Sequence, residues 1–417
     1  MLFPSPAAPS LPAACAGAVL FALGGAACAA TSAPDWTFSG FGTLGVVHSN
    51  ERQADYASSS MKASGAGRSA GWSRHVDSKL GGQLDLHLDA RWSAVLQVVT
   101  EQRLDYSYRP RVEWANLTYQ VTPELALRVG RIAMPMFIAA DYRKVGYAYP
   151  WVRPPIEVYS VLPLGSSDGV DLNWRWNGET LRSTTQVLFG RTDLPLYGGA
   201  RLRGHAIGGL SHTVEQGAFS ARASLVRARL SLSLFPELFD ALDKFGAAGR
   251  DLGRRLEVED KRASALSVGL HYDPGQWFVT GEAGSSKVGG YLGSTRSAYL
   301  GGGWRQGSLT PYAGYARVWG RRPPGPDSLA PDGLAPYQAA VGAKLNTALA
   351  ALMRTVPSQS TFSAGLRWDA APNLAFKLQH ECVTTRAGSR GKFINPVPGY
   401  QSGRTAQVSS AALDFVF

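Results

Sequence analysis

In the run Val170-Asp-Leu-Asn-Trp-Arg-Trp176, the side chains of Val170, Leu172, Trp174 and Trp176 fall on one face of an extended chain, and those of Asp171, Asn173 and Arg175 on the other. That is strict period-two alternation, the pattern of a strand with one polar and one apolar face. A soluble sheet buries its apolar face against a second layer, and nothing nearby in the sequence can cover a stripe holding two tryptophans. Lipid can cover it. A shorter amphipathic strand, Leu125-Ala-Leu-Arg-Val-Gly-Arg131, precedes it. The segment between the two, from Met134 to Tyr159 and on to about residue 168, exceeds a hairpin loop and is too rich in proline and aromatics for a solvated linker. Long loops of this kind are usually functional.

The alternation extends over the chain. It opens with Trp36-Thr-Phe-Ser-Gly-Phe-Gly-Thr-Leu-Gly-Val-Val-His48, and a Ser-, Ala- and Gly-rich stretch from Asn50 to Gly71 follows. Leu80, Leu84, Leu86 and Leu88 then alternate with Lys79, Gln83, Asp85, His87 and Asp89, and after a tight reversal Trp92, Ala94, Leu96 and Val98 alternate with Ser93, Gln97 and, further on, Glu101. Reversals fit at Thr122-Pro-Glu124, Asn177-Gly178, Glu215-Gln-Gly217, Asp273-Pro-Gly275, Arg305-Gln-Gly307 and Ala371-Pro-Asn373. At Asn177-Gly178 the residue types predict the two positive φ angles of a type I′ turn. Short turns alternate with longer stretches, and about sixteen strands result. An even number of antiparallel strands with short turns at one end and long loops at the other predicts an all-β transmembrane barrel over residues 31–417. The 47 glycines, 16 tyrosines and 11 tryptophans suit its turns and aromatic girdles.

Residues 1–33 carry no charged side chain and end in an Ala-Cys-Ala pattern, which reads as a secretory signal over residues 1–30. A spanning helix is the alternative, and its glycine-rich core is short for a bilayer that takes about 20 residues. After cleavage only Cys382 of the 3 cysteines remains, so neither an internal disulfide nor a cysteine-built metal site is expected. The formal net charge is +11, but the arginines alternate with apolar residues and form no basic runs, which argues against nucleic acid. The seven histidines show no His-x-x-x-His or His-Glu pairing, and no Gly-x-Ser-x-Gly elbow occurs. No reaction and no cofactor are expected. Two long loops carry helical patterns, at about residues 235–255 and 337–353, and suit either a cap over the outer mouth or a gate.

The opening Phe38-Ser-Gly-Phe-Gly-Thr-Leu-Gly45, the Leu127-Arg-Val-Gly-Arg131 strand leading into a long third loop, and the terminal Phe417 resemble the Gram-negative porin family, specifically its sixteen-stranded trimeric members. The resemblance covers nearly all of the mature chain in architecture. It implies an outer-membrane homotrimer through which small hydrophilic solutes diffuse, a third loop (about residues 134–168) folded into the lumen, and recognition of Phe417 by the barrel-assembly machinery. In the family acidic loop residues face basic wall residues. Here the loop carries Arg143, Lys144 and Arg153 beside Asp141 and Glu157, and its Tyr149-Pro-Trp-Val-Arg-Pro-Pro155 core departs from the pattern. Alternation places Lys79, Glu101, Arg128, Asp171 and Arg175 toward the lumen, with Arg131 joining them if the chain bends inward. The positive balance suggests mild anion preference. The loop aromatics Tyr142, Tyr147, Tyr149, Trp151 and Tyr159 suit a slide for sugars or organic acids, or anchors against the wall. A substrate-selective porin and a closed barrel acting as adhesin or surface enzyme are the other readings.

Overall fold

The computed structural model describes residues 34–160, 165–330 and 335–417, so the signal expected over residues 1–30 lies outside the described residues. Sixteen strands form the wall. They are β1 (Asp35–Ser49), β2 (Lys79–His87), β3 (Trp92–Glu101), β4 (Arg111–Gln120), β5 (Leu125–Ala133), β6 (Ser166–Asn177), β7 (Arg182–Pro195) and β8 (Arg201–Gln216). The second half comprises β9 (Phe219–Leu232), β10 (Val258–Tyr272), β11 (Trp277–Val288), β12 (Ser294–Trp304), β13 (Leu309–Arg321), β14 (Gln359–Ala371), β15 (Leu374–Thr385) and β16 (Thr405–Val416). Each strand pairs antiparallel with the next, and β1 closes the ring by pairing with β16 (Leu44 opposite Leu413) as well as with β2 (Trp36 opposite Leu86). Closure removes the open edges that an isolated sheet would expose.

One face of the wall is apolar and uncovered. Trp174 is 56% exposed, and Phe38, Leu44, Phe189, Leu300 and Leu378 are similarly open, whereas Asp171, between Leu172 and Val170, is 1% exposed. Such an outer face is stable only against lipid, because each of these side chains would gain roughly 1.5–3 kcal/mol from leaving water. Tryptophans and their aromatic neighbours gather toward the short-turn end, as in Trp92–Tyr119 (ring centroids 4.7 Å apart), Tyr272–Trp277 (5.3 Å) and Trp368–Phe376 (5.6 Å). They form the girdle at the lipid–water boundary.

The short turns use positive φ at Gly217, Gly275, Gly307 and Asn373. The Asn177-Gly178 reversal does not form the type I′ turn its residues predict. Neither residue has positive φ, and the amide of Gly178 donates to the carbonyl of Leu181 at 2.8 Å, so the strands are joined by a wider four-residue turn. At the opposite end the β9–β10 connection holds α2 (Pro236–Asp243) and α3 (Gly246–Leu256), and the β13–β14 connection holds α4 (Pro336–Met353). Leu242, Leu252, Leu256, Leu349, Leu352 and Met353 from these helices join Leu202, Leu230 and Val258 of the wall in one apolar cluster. Met134, Phe137 and Val158 of the β5–β6 connection belong to the same cluster.

Candidate functional site: the β5–β6 connection and the polar wall

Residues Met134 to Gly165 leave β5 and return at β6, with a one-turn α-helix, α1 (Ile156–Tyr159), near their end. Ser166 and Asp168 already belong to β6, so the segment is slightly shorter than the sequence suggests, and residues 161–164 lie outside the described residues. Its hydrogen bonds go to side chains that alternate with the exposed apolar residues of distant strands. Ser267 of β10 donates to the carbonyl of Met136, and Glu282 of β11 accepts from the amide of Ile138 (2.8 Å) and from Tyr159. On β14 Arg367 donates to the carbonyls of Tyr147 (2.8 Å) and Tyr149 (3.2 Å), and on β15 Gln379 accepts from the amide of Val152 (3.0 Å).

Lys377 of β15, between Phe376 and Leu378, is wholly buried. It pairs with Asp414 of β16 at 2.8 Å and donates to the carbonyls of Gly146 (2.7 Å), Tyr149 (2.6 Å) and Trp151 (3.0 Å). A cation removed from water in this way is tolerated because a carboxylate and three carbonyls replace its hydration. Gly146 is required at the contact: a Cβ there would stand 2.1 Å from the Asp414 carboxylate. Period two alone places Lys377 opposite the lipid-facing residues. What it could not reveal was the partner, since three of the four acceptors are backbone atoms of a loop more than 200 positions away.

The sequence candidates divide into groups. Arg128 and Asp171 are cross-strand partners, with Nε to Oδ1 at 2.8 Å, and Asp171 also accepts from Asn173 and Gln186. Arg175 is half-buried on the same face, four residues beyond Asp171. Arg131 does not join them. The β5–β6 register runs unbroken to Ala133, so Arg131 shares the outer side with Val129 and pairs with Asp168 at 2.7 Å. Arg153 is also placed differently from an open lumen residue. It is buried with both nitrogens of its fork on Asp77 (2.9 and 2.7 Å), a further bond to Glu381, and bonds to Tyr56 (3.2 Å) and Ser410 (2.6 Å). Burial opposes its charge, but Asp77, Tyr56 and Glu381 outweigh that and hold its pKa well above the ordinary arginine value. Glu157 is equally buried and accepts from Gln359 (2.6 Å) and Thr361. Burial pushes its pKa up. Both residues bind the segment to its surroundings.

The aromatics act likewise. Trp151 meets Phe278 and Tyr312 edge-on (5.8 and 5.6 Å) and lies over Gly301, where a Cβ would approach its ring to 3.1 Å. Tyr159 packs on Phe137 at 4.9 Å, and the ring of Tyr147 lies under Arg367. Asp141 receives Arg222 of β9 at 3.3 Å.

The remaining candidates line a cavity of about 180 Å³ beside β2, β3 and β4. Lys62, Lys79, Arg111, Arg143 and Lys144 surround it together with Glu101 and Glu113. Glu101 is shared by Lys144 and Lys62 (3.6 Å). Lys79 donates to Tyr149 at 3.5 Å, and the guanidinium of Arg143 lies against Gly165. Burial lowers the pKa of Lys62 and Glu101 opposes that shift. Lys62 and Arg111 were missed as site residues because irregular loops and bulged strand ends carry no period from which a direction can be read.

No family model matches the sequence, and no curated protein matches it. Solved structures do. The outer membrane channel DcaP of Acinetobacter baumannii is 11% identical with a TM-score of 0.52, over 92% of this chain and 98% of that one. OmpT, an outer membrane protein of Vibrio cholerae, is 10% identical with a TM-score of 0.53, over 94% and 100%. An anion-selective porin from Comamonas acidovorans is 12% identical with a TM-score of 0.52, over 92% and 100%. The chain has the fold of the sixteen-stranded outer-membrane porins.

Proposed function

We propose that the protein is an outer-membrane channel through which small hydrophilic solutes diffuse, and that Met134–Gly165 crosses the lumen and narrows it. One observation carries this reading: the segment hydrogen-bonds to the polar faces of β10, β11, β14 and β15, while a charged cavity remains between it and β2–β4. Solutes pass along that side. There Lys79, Arg111 and Arg143 have no ion pair among the described residues, so the passage carries a modest positive excess and favours anions. Arg128, Asp171 and Arg175 line the wall nearer the short-turn end.

Self-association in threes belongs to the proposal. An OmpT structure in trimer form shares this fold with a TM-score of 0.50, and the outer side of β14–β16 and β1–β4 carries no Asp, Glu, Lys or Arg. Recognition by the assembly machinery is assigned to Phe417. It is exposed, stacks beside Phe415 (6.4 Å), and exchanges backbone hydrogen bonds with Gly40. A substrate-selective variant of the reading, for organic acids, draws on the clustered cations of the same cavity.

The test is single-channel conductance of detergent-purified protein in planar bilayers, with the reversal potential under a salt gradient. Conductance steps in threes with anion preference support the proposal, and saturable block by one carboxylic acid class supports the selective variant. Absence of steps from protein shown folded by heat-modifiable gel mobility overturns it.

A further inference from the structure

The lipid-facing side of β15, β16 and β1 carries a polar group that the channel does not use. Ser409 of β16 is exposed, and the strand registers set His380 of β15 opposite it on one side and His48 of β1 on the other. Nδ1 of His380 lies 3.0 Å from Oγ of Ser409, and its Nε2 lies 2.8 Å from Oε1 of Gln407. A carboxamide oxygen only accepts, so Gln407 keeps the imidazole proton on Nε2 and leaves the lone pair of Nδ1 to the Ser409 hydroxyl. Cys382 donates to the same Oε1 at 3.1 Å. A nucleophile hydrogen-bonded to a base, with the base held in one tautomer by a third group, is the arrangement that activates serine for acyl transfer.

Depth in the wall selects the substrate. Along β16 Thr405 and Gln407 precede Ser409 toward the long-loop end, and Ala411, Leu413, Phe415 and Phe417 follow it on the same face. Eight residues at about 3.3 Å each, on a strand tilted by about 40°, put Ser409 roughly 20 Å above Phe417. In an apolar band about 25 Å tall, that is just inside the boundary where the acyl chains of a lipid meet their ester linkages. Leu378 (60% exposed), Leu44 (63%) and Phe376 (42%) lie toward the short-turn end from it and are open to an acyl chain. Trp72 stacks on His48 with ring centroids 4.7 Å apart. The ring nitrogens of His48 make no hydrogen bond with any described residue, so an N–H is left for an oxyanion formed beside Ser409. Ionisable side chains at membrane depth are costly and mark function where they occur.

We propose that Ser409, His380 and Gln407 hydrolyse acyl esters of lipids in the leaflet at the long-loop end. Ser409 Oγ attacks the ester carbonyl carbon while its proton passes to Nδ1 of His380; the alcohol leaves with that proton, and an acyl-serine is left. Water then attacks the acyl carbon, giving a proton to Nδ1, and the carboxylic acid departs as that proton returns to Oγ. Ester and water become acid and alcohol, and no other reactant enters. The inference rests on the wall facing lipid and not on the lumen conducting. In the trimer proposed above a neighbouring copy would cover this face, so turnover is assigned to the monomer.

The experiment measures fatty acid released from dioleoylphosphatidylethanolamine in mixed micelles by full-length protein, with monomer and trimer separated by size exclusion. In parallel a fluorophosphonate probe is applied to wild type and its site of attachment is read by mass spectrometry. The monomer should release fatty acid and carry the probe on Ser409. Ser409→Ala should lose both, and His380→Phe should lower kcat by about a hundredfold or more. Gln407 is a positioning residue: Gln407→Leu should lower kcat about tenfold with KM unchanged, and Gln407→Glu, which keeps an acceptor on Nε2, should restore it. Thr384→Val, on the same face but bonded only to Thr405, should match wild type. Heat-modifiable gel mobility confirms that each variant is folded. No release by the wild-type monomer, release that survives Ser409→Ala, or a probe attached elsewhere would each overturn the proposal. Equal release by the trimer would support the site and move the subunit contact off this face.

Discussion

Replacing Arg153 with methionine tests whether the β5–β6 segment is held by its buried charges. The arginine side chain is 4% exposed, as is Asp77, and Glu381 is 6% exposed, so the substitution keeps most of the volume while leaving two carboxylates without their cation. Breaking a buried pair by removing one partner costs about 3–5 kcal/mol. Two stranded carboxylates push toward the upper end of that range, and water entering from the adjacent cavity pushes toward the lower, so we expect about 4 kcal/mol. The measurement is the denaturant midpoint of the folded band in heat-modifiable gels, with conductance noise recorded in parallel. The segment should come loose from β15 and β16, giving larger and noisier openings. Adding Asp77→Asn and Glu381→Gln to the same chain removes the orphaned charges and should recover most of the loss, because replacing all partners together is far less costly than removing one. If Arg153→Met is as stable as wild type, or the triple variant is no more stable than the single one, the cluster is not what holds the segment.

Trp151→Ala removes the ring wedged between Phe278, Tyr312 and Gly301, and should cost about 3–5 kcal/mol in the same midpoint with a rise in conductance. Lys392, which donates to the carbonyl of Ser160 at 3.2 Å, is pushed by burial down to about 8 from its ordinary 10.5, with Glu157 acting in the other direction. Between those values the unfolded chain binds more protons than the folded one, so the midpoint should rise with pH across that window, and Lys392→Met should abolish its share of the slope. Arg143→Glu places a carboxylate where an unpaired guanidinium now borders the passage, and the reversal potential should move toward cation preference. An unchanged potential would mean that ions do not pass on that side.

The wall was legible in the sequence because lipid enforces a period of two over every strand. Val170, Leu172, Trp174 and Trp176 declare their side without knowledge of any neighbour, and Asp171 declares the other. Arg128 could be paired with Asp171 only once the register was known, since a one-residue slip exchanges the two faces. Arg131 shows the same limit, as the choice between inner and outer side depended on whether the strand stayed regular. The anchoring of the segment was less legible still. Arg153, Glu157 and Lys377 look alike in sequence to cations and anions of an open lumen, and their burial follows from contacts with residues far away in the sequence. The Asn177-Gly178 turn failed for a local reason: β6 continues through Asn177, which pairs with Arg182, and the wider turn that follows needs no positive φ.

The formal charge of +11 is a poor guide to what a solute would meet inside. Arg153, Lys377, Arg128 and Arg222 each face a carboxylate, and Lys144 and Lys62 share one, so most cations of the polar side are neutralised where they stand. Unpaired cations concentrate instead on the outer side, from Arg191 to Arg296, where the lumen does not feel them. Ion preference should therefore follow the few residues around the cavity, Lys79, Arg111 and Arg143 against Glu113, since charges separated from the passage by the wall and by more than about 8–10 Å of electrolyte are screened. Neutralising Arg227, Arg262 and Lys287 on that outer side should leave the reversal potential where it was, while neutralising Arg143 should not; a common shift in both would mean that the summed charge of the chain, and not its placement, governs the channel.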